Sequence, residues 1–136
     1  MAFLLDTCVL SDGIKQKPDA NLLAWLDRTP LEYRFVSVLS LAEVQFGIRM
    51  LSEGRRKSAL ATWYESTLRP SCGARILNFE ERDAMVWAEL RATHPRASFV
   101  DTQLAATALV RGFTVVTRNV RDFEFNGLAV VNPWEP

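Results

Sequence analysis

Residues 2–10, AFLLDTCVL, set an apolar run directly against an acid: Ala2 to Leu5 carry no polar side chain, and Asp6 follows at once. A short, continuous apolar run reads as a strand buried on both faces, the habit of parallel sheets. Asp6 then stands at the carboxyl end of that strand.

Working outward, Asp19 to Arg28 fits a short amphipathic helix through Leu22, Leu23, Trp25 and Leu26, closed by Pro30. Arg34 to Leu39 reads as a second strand, and Ser40 as the start of a helix running to about Glu53 and ending at Gly54. A further helix is expected over Arg55 to Leu68, stopped by Pro70, then a short strand over Ile76 to Phe79. Helices follow over Glu80 to Thr93, stopped by Pro95, and over Asp101 to Arg111, ended by Gly112. Phe113 to Thr117 and Leu128 to Val131 complete the strands. Strands alternating with helices imply parallel strands joined by helical crossovers. The expected fold is therefore α/β, a central, mostly parallel sheet of about five strands flanked by helices on both faces, in one domain over residues 1–136. Ligands of such sheets sit outside the carboxyl ends of the strands.

Composition narrows the partners. The 16 basic and 16 acidic residues cancel, so no global field announces nucleic acid or an anionic membrane, and any phosphate affinity must be local. Thirteen of those basic residues are Arg, the side chain suited to bidentate phosphate contacts. Cys8 and Cys72 form no Cys-x-x-Cys pair and His94 is the only histidine, which argues against a disulfide framework or a zinc cluster. Three apolar residues before Asp6 fall short of a signal-peptide core, and no apolar run approaches the ~20 residues of a membrane span. A soluble protein of a reducing cytoplasm is expected.

Three acids lie where acids are costly. Asp6 ends a buried strand. Glu43, on a helical wheel, lies away from the polar side made by Ala42, Gln45, Arg49 and Ser52, beside Phe46, Gly47 and Met50, and is expected to point into protein. Asp101 heads the apolar stripe of Leu104, Ala105 and Ala108. Each also has an ordinary explanation. Asp6 suits a turn, Ser40-Leu41-Ala42-Glu43 matches a capping box, and Asp101 suits a helix N-terminus. Jointly they say more, because no Lys or Arg is placed by sequence to neutralise them and an unpaired buried charge costs several kcal/mol. A hard divalent cation, magnesium or manganese, relieves the repulsion among converging carboxylates. Supporting polar groups are Thr7, beside Asp6, and Thr117, at the end of the expected strand Phe113 to Thr117, followed by Arg118, Asn119, Arg121 and Asp122 in TRNVRDF. Arg49, Arg55, Arg56 and Lys57 form a second basic cluster, which fits a solvated helix face as well as an RNA contact.

The motifs FLLDTCVLS, LSLAEVQFGI, DTQLAATAL, VVTRN followed by DF, and a closing VNPW resemble, in that order, the PIN-domain ribonuclease toxins of the VapC family, especially its FitB-like branch. The resemblance implies a magnesium- or manganese-dependent endoribonuclease, the toxin of a bacterial type II toxin–antitoxin pair, leaving 5′-phosphate and 3′-hydroxyl ends. By position, Asp6, Glu43 and Asp101 match the core acids that hold the metal. The fourth acidic position of many relatives is Asn119 here, with Asp122 three residues on; Arg118 and Arg121 are candidate RNA contacts. The stretch RATHPRASFV before Asp101 lacks the longer, Gly-containing loop of relatives. The implied partners are an antitoxin of the VapB or FitA kind, RNA, a second copy of the chain, and operator DNA through the antitoxin complex. A PIN-like module that binds RNA or protein without cutting is the alternative, favoured by Asn119.

Overall fold

A computed structural model of the chain describes residues 1–12 and 15–136. Five strands form one sheet in the order β3-β2-β1-β4-β5, with β1 Phe3–Leu5, β2 Arg34–Ser37, β3 Ile76–Leu77, β4 Thr114–Val116 and β5 Val130–Val131. All the pairings are parallel. The helices are α1 Thr7–Asp12, α2 Ala20–Arg28, α3 Val38–Arg49, α4 Arg55–Trp63, α5 Arg69–Cys72, α6 Glu81–Thr93 and α7 Phe99–Arg111. None is long and apolar enough to cross a membrane among the described residues.

The apolar run that opens the chain works as a two-faced strand. Leu5 packs with Val9, Leu22, Trp25, Val36 and Leu41 on one side of the sheet. Leu4 packs with Leu104, Ala105, Ala108, Val115 and Phe123 on the other. Adjacent residues of β1 thus feed separate cores, as the period of two demands, and neither face can tolerate a polar side chain. The small residues Ala105 and Ala108 let α7 lie close against the sheet.

Four local expectations are corrected. Helix α1 directly follows β1 in a stretch whose six residues, TCVLSD, were too few to show a period. Helix α3 starts at Val38, capped by Ser37, whose side chain accepts from Leu39 N at 3.0 Å; Ser40 lies inside the helix, fully buried, so there is no capping box from Ser40 to Glu43. The same helix ends at Arg49, earlier than Glu53, and Gly54 instead precedes α4. Pro70 does not stop the fourth helix. A π turn over Tyr64–Leu68 carries the chain into α5, which ends at Gly73 with a φ of 54°. Proline has no N–H to give, and early in a helical segment none is required.

Topology fixes where ligands go. The chain runs outward from β1 through β2 to β3, then crosses back to place β4 on the other side of β1. The direction reverses between β1 and β4, and the carboxyl ends of strands at such a switch are where these sheets hold their ligands. Leu5 pairs with Val116, so the residues that leave the sheet side by side are Asp6 and Thr117.

Candidate metal centre

Asp6 is held at the switch point. Its N–H donates to Val116 O at 2.9 Å and its carbonyl accepts from Val9 N at 3.0 Å, which starts α1 with backbone alone. The carboxylate is thereby left for other partners. Thr7 N donates to Oδ1 at 2.7 Å, and the Thr117 hydroxyl donates to Oδ2 at 2.7 Å. Asp6 is 8% exposed and Thr117 fully buried, so the hydroxyl is oriented by packing as well as by bonding.

Glu43 arrives from α3, where it is half-buried and accepts the Thr7 hydroxyl at Oε1, 2.8 Å away. Its wheel neighbours Phe46 and Met50 are 66% and 70% exposed, so that face of the helix looks to solvent. Glu43 is half-buried because α1 lies across it, and Thr7 ties the two helices together.

Asp101 sits in the first turn of α7. Ser98 caps that helix, accepting from Asp101 N at 3.2 Å, a signal the sequence holds as Ser-x-x-Asp. The Asp101 carboxyl is pushed up to about 6, by burial first and then by the negative charges of Asp6, Asp122 and Glu43. Its repulsion by three other acids is the electrostatic signature of convergence. Among the described residues the ion pairs are Lys15–Asp12, Lys57–Glu53 and Arg111–Asp83, and none of them reaches these four acids.

Asn119 and Asp122 differ in their relation to this cluster. Asn119 is exposed, and its backbone N–H, not its side chain, donates to the Thr117 hydroxyl at 3.0 Å. Asp122, in the 3-10 turn Val120–Phe123, is also exposed, yet it lines one cleft with Asp101, Arg121, Arg96 and His94. Arg118 lies over the Trp134 ring at 5.5 Å from its centroid. Lys57 is committed to Glu53 and the Arg49 carbonyl, whereas Arg56 lines a cavity shared with Glu43. Leu60 and Trp63 pack partly against the core.

Sequence reasoning missed Cys8. Its Sγ lies 3.8 Å from both Asp6 Oδ2 and Thr117 Oγ1, and burial pushes the thiol up. It also missed two buried acids outside the cluster, Asp12 and Asp83, each beside a cation.

The donor set suits a hard divalent cation: mutually repelling carboxylates, none of them ion-paired to a side chain among the described residues. In this conformation no three of the acids stand close enough together, among the described residues, to grip one ion. Two of them spend an oxygen on threonine hydroxyls instead.

Residues 3–126 match the PIN domain family. The VapC ribonuclease Y4jK of Sinorhizobium fredii is 35% identical, with 98% of each chain covered. Toxin FitB of Neisseria gonorrhoeae is 36% identical over 96% of this chain and 97% of its own. A solved structure of FitAB bound to an IR36 DNA fragment superposes with a TM-score of 0.89 at 35% identity, covering 98% of this chain and 96% of that one. The β1–β4 switch, its acids and these relatives agree: the chain belongs to the PIN domain family, among relatives named VapC ribonuclease and Toxin FitB.

Proposed function

We propose that the chain is the toxin of a type II toxin–antitoxin pair, a magnesium- or manganese-dependent endoribonuclease that hydrolyses RNA phosphodiester bonds. The observation that carries this reading is that Asp6 and Glu43, bound by the Thr117 and Thr7 hydroxyls, stand with Asp101 in a chain 35% identical to a VapC ribonuclease and 36% identical to Toxin FitB along nearly its whole length. Asp6, Glu43 and Asp101 are the residues that would hold the ion. Bound there, it would neutralise charge on the scissile phosphate and acidify the attacking water.

The chain's own groups do the positioning. Thr7 N and the Thr117 hydroxyl fix the two oxygens of Asp6, and the Thr7 hydroxyl fixes one of Glu43, so both carboxylates are held in place without rotamer search. Asp101, whose carboxyl burial and the acids Asp6, Asp122 and Glu43 push up, must release its proton to take an ion. Arg121, beside Asp101 and Asp122, is suited to an RNA phosphate, and Arg118 to a flanking one. Asn119 is offered as a substrate-side amide and Asp122 as the fourth acid. The products would carry 5′-phosphate and 3′-hydroxyl ends.

FitAB bound to an IR36 DNA fragment supplies an analogy for partners; for this chain they would be an antitoxin that blocks the acids with a basic segment, a second copy of the chain, and operator DNA through the antitoxin complex. The setting is the bacterial cytoplasm and the unit a single domain over residues 1–136.

Purified protein should cleave RNA with magnesium or manganese, and Asp6→Asn or Asp101→Asn should abolish cleavage while the fold persists. Full cleavage by both variants would sink the proposal. A second reading, a binding module that does not cut, is favoured by Asn119, an amide at the position where the resemblance implies a fourth acid. Calorimetry that detects no divalent binding would support it.

A further inference from the structure

Two clefts flank the acids, and they differ in chemistry. The cleft on the Asp101 side is polar, with Asp122, Arg96, Arg121 and His94. The cavity on the Glu43 side, about 210 Å³, lies between α1, α3 and α4 and is largely apolar: Val44, Ile48, Leu51 and Leu60 line it, with Trp63 as its aromatic wall. Thr7 and Glu43 belong to this cavity as well as to the acid cluster. Arg56 and Ser11 add hydrogen-bonding groups, and both also line the adjoining groove that contains Lys15.

A metal-assisted nuclease must put the base next to the scissile phosphate somewhere. Single-stranded RNA is recognised by splaying a base out, stacking it on an aromatic ring and bonding its edge. The Glu43 cavity is too small for a drug-sized ligand, whose pockets begin at roughly 300 Å³, but it matches one planar ring system. We propose that the cavity between Glu43 and Trp63 is a nucleobase pocket for the nucleotide flanking the scissile phosphate, with Trp63 the stacking wall and Arg56 the group that reads the base edge. The phosphate backbone then crosses the acids toward Arg121. This inference rests on the ribonuclease reading and adds to it a determinant of base preference.

Gly47 provides the test. It lines the cavity from α3, and a Cβ there meets no atom within 4 Å, so a side chain at position 47 starts from open space, and Gly47→Leu adds apolar bulk at the cavity. Four single-stranded oligoribonucleotides differing in the base on each side of the cleavage point are digested by wild type, Gly47→Leu, Trp63→Phe, Trp63→Leu and Arg56→Ala, with thermal melts alongside. Wild type should prefer one base at one flanking position by about tenfold or more. Gly47→Leu should lose most kcat/KM on the preferred substrate with its melt intact, Trp63→Phe should keep the preference, and Trp63→Leu and Arg56→Ala should flatten it. Unchanged preference and rate in Gly47→Leu would overturn the inference while wild-type cleavage preserves the nuclease reading. A Gly47→Leu protein that cleaves normally but no longer binds its protein partner would assign the cavity to that partner, and so overturn it too. If wild type cleaves nothing with either metal, both readings fall together.

Discussion

The Thr117 hydroxyl donates to Asp6 Oδ2 at 2.7 Å, joining the carboxyl ends of adjacent parallel strands across 111 residues of sequence. Thr117→Val keeps the shape but leaves Asp6 Oδ2 with only the weak Cys8 thiol donor at 3.8 Å and removes the acceptor of Asn119 N. The stability cost should be about 1–3 kcal/mol, read by urea unfolding. Cleavage should fall about 10- to 100-fold, and Thr117→Ser should restore most of it. A Val variant as active as wild type would remove Thr117 from the site.

The Asp101 carboxyl rises from 3.8 to about 6 in the folded chain, through burial and then its acidic neighbours. Between those values the folded state holds a proton that the unfolded state has released. Metal-free protein should therefore lose stability as pH rises through this window and level off above it. Asp101→Asn should abolish that slope in unfolding curves recorded with a chelator. Magnesium affinity should climb over the same pH range, because ion and proton compete for one carboxylate.

Asp83 is fully buried and takes two bonds from Arg111, at 2.7 and 3.3 Å. Burial alone would raise its carboxyl, but the Arg111 guanidinium and the Glu80 N–H bring it below the ordinary value. The stabilisation is present above about pH 4 and lost as pH falls below it. Asp83→Asn strands a partly buried guanidinium and should cost about 3–5 kcal/mol at neutral pH, and progressively less as pH falls through the lowered folded-state value. A pH-independent loss would contradict this.

Two glycines should respond to alanine in opposite directions. Gly112 ends α7 at a φ of 69°, where an L residue is strained although no atom lies within 4 Å of its Cβ, so Gly112→Ala should lower stability by about 1 kcal/mol. Gly47, inside α3 with open space around it, should gain about 0.5–1 kcal/mol as Ala. Differential scanning calorimetry on both variants decides the pair.

The sequence carried the strand positions well, because a two-faced parallel strand needs an unbroken apolar run and polar residues interrupt it only at the ends. Glu43 was harder. Its helical wheel pointed to an interior, whereas Phe46 and Met50 face solvent and burial of the acid comes from α1, a helix too short to leave a period. The capping box failed because Ser37, three residues earlier, had an equal chemical claim on the helix start and stood at the end of β2. The Thr117 role was invisible in one dimension: threonine is an ordinary strand residue, and only the β1–β4 register sets its hydroxyl against Asp6.

Strand β1 is made first and sits in the middle of the sheet, yet one of its two neighbours, β4, is made more than a hundred residues later. During synthesis, then, the ribosome carries a chain whose Asp6 has no Thr117 to orient it and no Asp101 opposite. Long-range pairing of this kind forms late. The proposed nuclease cannot assemble while its own message is still being read through the early codons, so the order of strands delays the weapon until the polypeptide is nearly finished.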